Sequence, residues 1–311
     1  MAKTTIEDIL IYFYPIIFVM GTIGGILSFI IFSRKRFQNT IFSTYFRCFI
    51  VFQTLSLIFL PINKMFELNL NIYFDSNVSN FICKLRYFYG YFNIANAAWF
   101  LVIISIDRWI SISNPTKFMF RKKIRFQMAT CLSIILFNVC LLTPTWFYYI
   151  KQTTTFNNNN NDTNINLFCS SHSVWIDFIE LFHQVLIPFV LMILFTFLTA
   201  TYVFKSRKIM HNSSSNNITS SNNNDRKFAI SSITINILFL IFNFPHFLLY
   251  MLKEYSDLFD NSIESFKLIE SFSYFLLYIN LISTFFINQL VNTMFKTELK
   301  IVIQIMKKIL S

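Results

Sequence analysis

The four histidines are the side chains of this 311-residue chain best suited to acid–base or metal chemistry, and they are scattered: His172, His183, His211 and His246. No Gly-rich phosphate loop, His-Glu-x-x-His, Gly-x-Ser-x-Gly or Cys-x-x-Cys pattern accompanies them. We therefore expect no enzyme, no metal site and no cofactor. The charged residues that stand out instead are Asp107 and Arg108, because they lie at the end of a long apolar run.

The triplet Asp107-Arg108-Trp109 has a characteristic sequence frame, by which we mean its spacing from Cys83 before it and Pro115 after it. Arg108 follows Cys83 by 25 residues, and the triplet continues as Ile-Ser-Ile-Ser-Asn-Pro, ending at Pro115. This frame resembles the third transmembrane helix of rhodopsin-like (class A) G protein-coupled receptors, where an outer cysteine and an inner Asp-Arg-aromatic triplet recur at this spacing. Asp225-Arg226 repeats the dipeptide without the frame. The resemblance implies a receptor whose triplet serves G protein coupling.

Composition independently indicates a membrane protein. Hydrophobic residues make up 55% of the chain and charged residues only 13%, which leaves too little polar surface for a water-soluble globule. Apolar stretches of about 18 residues or more predict spanning helices. Seven are present, at 9–33, 41–66, 86–106, 126–150, 178–204, 228–252 and 268–290. The predicted fold class is all-α, a seven-transmembrane-helix bundle with a short amphipathic eighth helix.

The basic residues predict the orientation of the bundle. The segments on the Arg108 side (34–47, 108–125, 205–227 and 296–308) hold 19 of the 26 Lys and Arg, whereas the acids on that side are only Asp107, Asp225 and Glu298 of 15. Loops rich in Lys and Arg stay in the cytoplasm. We therefore expect the amino terminus outside, in the plasma membrane, with the acidic excess on the outer face. No nucleic-acid partner is expected.

The amino-terminal segment 1–8 lacks the basic region and cleavage site of a secretory signal peptide, so the first span is expected to act as an uncleaved anchor. About eight residues are too few for a folded ectodomain, so a ligand site is expected among the helices and outer loops. We divide the chain into a seven-helix domain, 1–290, and an eighth helix with tail, 291–311.

Two connections are of low complexity. The outer segment 151–174 contains the tract Asn157 to Asn161, and we expect it to be disordered or poorly packed; the inner segment 206–225 is rich in Ser and Asn. Asn77 and Asn161 are outer glycosylation acceptors. The family resemblance implies a disulfide between Cys83 and Cys169, both on the oxidising side. Cys48, Cys131 and Cys140 lie in spans, where a free Cys is usually a small buried hydrophobe.

Prolines and the carboxyl-terminal segment extend the family frame. Pro61, Pro144, Pro188 and Pro245 stand in spans two, four, five and six, where related receptors carry prolines that kink helices around a ligand cavity. Phe295-Lys296 resembles the start of an eighth helix. The segment 291–309 alternates apolar and lysine residues at helical spacing, which is typical of a helix on the inner leaflet and predicts contact with membrane lipid.

Several positions depart from the family pattern. Gly25 stands for the first-span Asn, Gln53 for the second-span Asp and Ala97 for a serine of span three, so the usual sodium pocket is not expected. Phe242-Asn243-Phe244-Pro245 replaces Cys-Trp-x-Pro, and Thr284 to Asn288 replaces Asn-Pro-x-x-Tyr. Polar residues inside the spans are either hydrogen-bond links between helices or, at Gln53, Asn243 and Asn288, a network that replaces the missing pocket.

The ligand positions are carried over by spacing from Cys83 and Pro245. Gly90 replaces the aspartate that binds biogenic amines, so an amine receptor of that type is not expected. Tyrosines combine apolar contact with a polar tip, and Glu180 offers a carboxylate to a cationic ligand; the alternative for the tyrosines is anchoring at the membrane interface. The predicted ligand-binding residues are Tyr87, Tyr91, Glu180, His246, Tyr250, Tyr274 and Tyr278.

The resemblance implies a receptor that binds a peptide or small molecule and activates a heterotrimeric G protein. The outer acidic excess and Glu180 predict that the ligand carries a cationic group. Its predicted coupling and switch residues are Asp107, Arg108, Trp109, Asp225, Asn243, Pro245 and Asn288. Asp225 either pairs with Arg108 as an inner lock or caps the start of span six. Two alternatives stay open: a non-signalling relative acting as a trafficking or dimer partner, and a transporter, although paired repeats with midplane charges are missing.

Overall fold

The computed structural model describes residues 2–38, 42–70, 80–113, 123–147, 149–156, 163–170, 182–212, 220–255 and 264–310. The helices of this part of the chain, in order, are α1 Ala2–Phe32, α2 Lys35–Gln38, α3 Phe42–Leu70, α4 Asn80–Ser113, α5 Ile124–Leu142, α6 Ile187–Asn212, α7 Ser220–Tyr255, α8 Glu264–Val291 and α9 Thr293–Leu310. All except α2 and α9 correspond to the seven predicted spans.

Five stretches of the described residues are long and apolar enough to cross a membrane: Tyr12–Phe32, Phe88–Ser113, Ile124–Leu142, Phe182–Val203 and Ser271–Val291. Two shorter apolar stretches, Ser43–Ile58 and Ile230–His246, lie within α3 and α7, which are themselves 29 and 36 residues long. A helix rises 1.5 Å per residue, so each of the seven is long enough for the roughly 30 Å apolar layer.

Helix α4 occupies the middle of the bundle, where it contacts α3, α5, α6 and α7. Its inner half carries buried apolar side chains such as Phe100 and Ile104, which join one core with Phe32, Met192 and Phe295. At the periphery of the bundle, by contrast, large apolar side chains such as Leu132 and Phe197 are exposed. Such an outer surface suits contact with lipid rather than water.

Small residues bring α1 close to its neighbours. A Cβ added at Gly21 would stand 2.6 Å from Ile282 of α8, and one added at Gly25 would collide with Thr54 of α3. Close backbone approach over glycines is the common way to pack helices in lipid, because dispersion contacts replace the hydrophobic effect there. The glycines therefore set the position of α1 against α3 and α8.

Proline explains the ends of two spans. Helix α5 stops at Leu142 and continues as a short 3₁₀ turn, Thr143–Phe147, because Pro144 has no N–H for a helical hydrogen bond. The fourth span is thus shorter than the predicted 126–150. A π-helical turn, Phe182–Leu186, precedes α6; Pro188 cannot donate to the carbonyl of residue 184, and a wider turn accommodates that loss.

The outer connection corrects one prediction. Tyr149–Phe156 (β1) and Thr163–Ser170 (β2) pair as an antiparallel hairpin, with Ile150 opposite Cys169, so the expected disorder is wrong for these paired residues. The tract Asn157 to Asn161, on which that expectation rested, lies outside the described residues. Three consecutive threonines and flanking isoleucines favour strands, because β-branched side chains suit a pleated surface. Strand β1 lies beside α4.

The inner connection is also shorter than predicted. Helix α6 continues to Asn212 and α7 already begins at Ser220, so much of the segment 206–225 is helical. Asp225 lies six positions into α7. It therefore cannot be the N-cap of this helix, and that alternative reading of Asp225 is wrong.

Helix α9 confirms the predicted amphipathic eighth helix, beginning at Thr293. Asn292 caps it, because its Oδ1 accepts a 3.1 Å hydrogen bond from the Phe295 backbone N–H. Phe295, Leu299 and Val302 are buried, whereas Lys296, Lys300, Lys307 and Lys308 are exposed. One face thus packs on the bundle and the other carries positive charge.

A buried carboxylate fastens α9 to the start of the bundle. Glu298 is 5% exposed, and its carboxylate lies 2.6 Å from Arg34 Nε and 3.5 Å from Arg36 Nη1. The Arg34-Lys35-Arg36 cluster, which the sequence marks only as an orientation signal, therefore also holds the eighth helix.

Candidate functional site

Arg108 and its neighbours lie at the carboxyl-terminal end of α4. Asp107 and Arg108 are only 4% and 6% exposed, a costly arrangement for charged groups unless they have partners. Trp109 packs on Phe195 of α6, with ring centroids 5.6 Å apart. The triplet that the sequence singled out is therefore enclosed between helices, and the contact of Trp109 joins it to α6.

A polar junction lies about one helical turn before Arg108. The side-chain amide of Asn236 on α7 donates hydrogen bonds to Ser105 Oγ on α4, at 2.7 Å, and to Thr196 Oγ1 on α6, at 2.9 Å. All three residues are buried. A single side chain thus ties α7 to both neighbouring helices near the arginine, a geometry for which the sequence offered only a polar residue inside a span.

A second polar group joins α3, α7 and α8. Gln53 Nε2 donates to Thr284 Oγ1 at 2.9 Å, Asn288 Nδ2 donates to the Thr284 carbonyl at 2.9 Å, and Ser231 Oγ donates to Asn288 Oδ1 at 3.1 Å. Gln53 and Asn288, two of the substituted switch positions, therefore belong to one network. Asn243 does not, because its amide donates at 2.6 Å to the Phe239 carbonyl of its own helix.

Only some of the predicted ligand-binding residues contact one another. His246 on α7 and Tyr274 on α8 have ring centroids 4.6 Å apart, and Ser273 Oγ lies 3.5 Å from His246 Nδ1. Tyr278 is 1% exposed and packs edge-on against Tyr14 of α1. Tyr278 also stacks on Tyr274, with ring centroids 6.4 Å apart, and its role in ligand binding stays a prediction.

Space is available on the amino-terminal half of α4. Tyr91 is half-buried, and a Cβ added at the neighbouring Gly90 would have no atom within 4 Å. The position where amine receptors carry an aspartate is therefore open. Among the described side chains, no three of His, Cys, Asp or Glu lie close enough together to hold a metal ion.

The comparison with known proteins accords with this arrangement. A family model described as 7 transmembrane receptor (rhodopsin family) matches residues 24–288, from within α1 to the last turn of α8. The chain belongs to the rhodopsin family of seven-transmembrane receptors. It is similar to G-protein coupled receptor 183 of Mus musculus, with 23% identity over 123 residues, or 39% of this chain. The matched region spans 33% of that receptor's length.

The geometry of this rhodopsin-family receptor explains two of its departures from the family pattern. Thr54 of α3 occupies the space beside Gly25, so an asparagine there would collide with it. The small gap between α1, α3 and α8 is lined by Gly25, Ser28, Gln53, Thr54 and Thr284 among others, and its lining contains no carboxylate. The described lining of this gap therefore offers hydroxyl and amide groups but no acid to a cation.

The receptor also contains a buried polar chain that the sequence did not predict as a unit. His183 Nε2 donates to Asn138 Oδ1 at 2.8 Å, and Asn138 Nδ2 donates to Asn96 Oδ1 at 2.9 Å, which links the π-helical turn before α6 to α5 and α4. Trp99 stacks on the imidazole and donates from Nε1 to the His183 carbonyl at 3.2 Å. The isolated polar residues in three spans were the only sequence signal.

Several predicted positions of the receptor lie outside the described side chains. The backbones of Cys83, Tyr87, Asp225, Tyr250 and Cys169 are placed on α4, α7 and β2. Asn77, Asn161 and Glu180 fall outside the described residues altogether. The disulfide, the glycosylation sites, the acidic ligand contact and the Arg108–Asp225 lock therefore stay predictions.

Proposed function

We propose that the receptor binds an extracellular peptide or small molecule and in response activates a heterotrimeric G protein. The observation that carries this proposal is the burial of Arg108 beneath the junction that Asn236 makes between α7, α4 and α6. A buried arginine at a helix end is costly, so a conformation that exposes it to a partner is accessible once α7 moves away.

The polar links of α7 suit a two-state switch. Asn236 holds α7 to α4 and α6, and Ser231 holds it to Asn288 of α8. Interhelical hydrogen bonds in membranes contribute about 0.6 kcal/mol each, so a ligand with a modest preference for the opened bundle shifts the population. Outward movement of α7 breaks these links together and frees Arg108 for the G protein.

The ligand is proposed to enter between the outer ends of α4, α7 and α8. The open position at Gly90, the half-buried Tyr91 and the paired rings of His246 and Tyr274 provide the described part of this surface. A cationic group on the ligand is proposed from the excess of acids on the outer side, with Glu180 as its partner.

The proposed orientation places the amino terminus outside the plasma membrane and α9 on the inner leaflet. The concentration of Lys and Arg on the Arg108 side supports this direction. The glycosylation acceptors test it. Deglycosylation should shift a band that is lost when Asn77 and Asn161 are both substituted; a shift that depends on Asn212 or Asn217, which begin the acceptor sequences Asn-Ser-Ser and Asn-Ile-Thr on the Arg108 side, would mean the reverse topology.

A non-signalling relative, acting as a trafficking or dimer partner, is the second candidate. The observation that favours it is the replacement of switch residues by the Gln53, Thr284 and Asn288 network. Together with the hydrogen bond from Ser231, this network holds α3, α7 and α8 in one packed state. G protein activation separates the two candidates.

The decisive experiment is a ligand screen in cells that express the receptor with a promiscuous G protein reporter, followed by nucleotide exchange on purified G protein. Arg108→Ala should abolish exchange while ligand binding persists. The matched control is Arg125→Ala, because Arg125 is exposed at the start of α5 and should leave exchange unchanged. Ligand binding without exchange in the unmodified receptor would instead support the non-signalling candidate, and substrate uptake would support a transporter.

A further inference from the structure

Two free cysteines from different spans meet near the inner end of the bundle. Cys48 of α3 and Cys131 of α5 have their Sγ atoms 3.5 Å apart. Cys131 is buried and Cys48 is half-buried. The third described free cysteine, Cys140, is exposed on α5. The sequence treats all three as small hydrophobic residues, and only the packing of α3 on α5 brings two of them together.

The thiols belong to a ladder between the two helices. One turn earlier, Thr44 Oγ1 donates to Gln127 Oε1 at 2.6 Å. Thr44 and Gln127 each stand four residues before a cysteine of the pair, so both contacts involve residues 83 apart in the sequence. Residues four apart lie on the same face of a helix. The Thr44–Gln127 hydrogen bond therefore holds the two cysteines opposite each other.

The surroundings of the pair suit thiol oxidation better than metal binding. Arg47, next to Cys48 in the chain, donates from Nε to the Ser43 carbonyl and from Nη2 to Thr44 Oγ1, both at 3.3 Å. A neighbouring cation favours the thiolate, which is the reactive form of cysteine. Among the described residues, no group of three His, Cys, Asp or Glu offers a metal-ligand set here.

We propose that Cys48 and Cys131 form an oxidisable dithiol, which a peroxide converts into a disulfide that joins α3 to α5. The thiolate of Cys48 attacks a peroxide oxygen, which gives a sulfenic acid and releases hydroxide. The Cys131 thiol then attacks the Cys48 sulfur, the S–S bond forms and water leaves. Two thiols and one hydrogen peroxide thus give one disulfide and two waters. Cys48 is the first to react because it is the more accessible thiol.

The location gives this modification a reversible character. Under the orientation in the proposed function, on which this point rests, the Cys48 end of the bundle faces the cytosol, where thiols are kept reduced and disulfides form transiently. Helices α3 and α5 both contact α4, so the new bond would restrain two neighbours of the helix that carries Arg108.

The test uses the full receptor in membranes and needs no ligand. Membranes are treated with hydrogen peroxide, free thiols are blocked with N-ethylmaleimide, and the protein is digested without reduction for mass spectrometry. We expect a cross-linked peptide that contains Cys48 and Cys131, rises from background on oxidation and disappears with dithiothreitol. Because the readout is a covalent bond, it is independent of whether the receptor signals.

Matched variants distinguish the pair from general oxidation. Cys140→Ser should retain the cross-link, whereas Cys48→Ser and Cys131→Ser should each abolish it. In Cys131→Ser the remaining Cys48 should be trapped by dimedone as a sulfenic acid. The proposal is overturned if peroxide leaves both thiols of the unmodified receptor alkylatable after denaturation, or if Cys48 over-oxidises without the cross-link. Protection of both thiols by Cu(I) before any peroxide is added would also overturn it, in favour of a two-coordinate metal site.

Discussion

Asn236 of α7 donates a 2.7 Å hydrogen bond to Ser105 of α4, three residues before Arg108. The same amide donates to Thr196 of α6, so one side chain connects three helices at the level where the arginine is buried. Within the membrane, the Asn236 amide has no water to hydrogen-bond when Ser105 and Thr196 move away. The contact therefore favours the packed position of α7 and opposes its outward movement.

Removing this contact should raise ligand-independent signalling. Asn236→Ala loses two interhelical hydrogen bonds. At the average contribution per bond these stabilise the packed bundle by about 1.2 kcal/mol, so their loss should shift the equilibrium roughly eightfold toward the opened bundle. Basal nucleotide exchange at matched surface expression measures the effect. Thr234→Ala is the control, since Thr234 Oγ1 donates its hydrogen bond to the Ile230 carbonyl of its own helix. Equal basal activity in the two variants would contradict the role of Asn236.

The fit of Gly25 against Thr54 gives a steric prediction. Gly25→Ala should lower surface expression and thermal stability, because the added methyl group collides with the Thr54 side chain; overpacking of this kind costs about 1–3 kcal/mol. Gly25→Ala combined with Thr54→Ala should recover much of the loss. Gly90→Ala is the matched control, since a Cβ there meets open space. Equal harm in Gly90→Ala and Gly25→Ala would contradict the steric explanation, because alanine favours a helix more than glycine does at both positions.

The ion pair of Glu298 should stabilise α9 against the bundle. Glu298→Gln removes the carboxylate that Arg34 and Arg36 share, and we expect a loss of about 1 kcal/mol, limited because both arginines are partly exposed. The thermal midpoint in detergent should fall by a few degrees. Lys296→Gln, an exposed change on the same helix, should leave it unaltered. Equal midpoints for the two variants would remove the structural role of the pair.

The disulfide predicted between Cys83 and Cys169 restrains the outer connection. Cys169→Ala should lower surface expression, since removing a native disulfide typically costs about 2–5 kcal/mol. In intact cells, a membrane-impermeant thiol reagent should leave both cysteines unmodified until a reductant is added. Strong labelling of Cys83 without reduction would exclude the pairing.

The predicted lock between Arg108 and Asp225 can be tested by removing the charge of Asp225 without changing the size of its side chain. Asp225→Asn should raise basal activity, because the carboxylate that holds Arg108 is lost while α7 keeps its shape. A capping role is no longer available to explain an effect, as Asp225 lies six positions into α7. Basal nucleotide exchange is compared at equal surface expression. Asp257→Asn is the control, because the distribution of Lys and Arg predicts that Asp257 lies on the opposite side of the membrane. Unchanged basal activity in Asp225→Asn would rule the lock out.

The seven-helix architecture could be predicted from the sequence because lipid imposes a simple rule. Every backbone polar group must be bonded within its own segment, so long apolar runs such as those in α4 and α6 form helices whatever surrounds them. The helix ends were less predictable. Pro144 shortened the fourth span, and the hairpin of β1 and β2 replaced an expected irregular segment, because β-propensity acts only once strands pair.

The sequence by itself determined which residues are polar inside the membrane, and only the tertiary structure decided which of them meet. Helical periodicity places Asn236 and Asn243 on one helix, but it does not tell which face of α7 is turned toward each neighbouring helix. Helix rotation is set by side-chain packing across several helices. That packing directs Asn236 to Ser105 and Cys48 to Cys131, and it turns Asn243 back to its own backbone. Contacts between distant segments depend on this geometry, which no local pattern encodes.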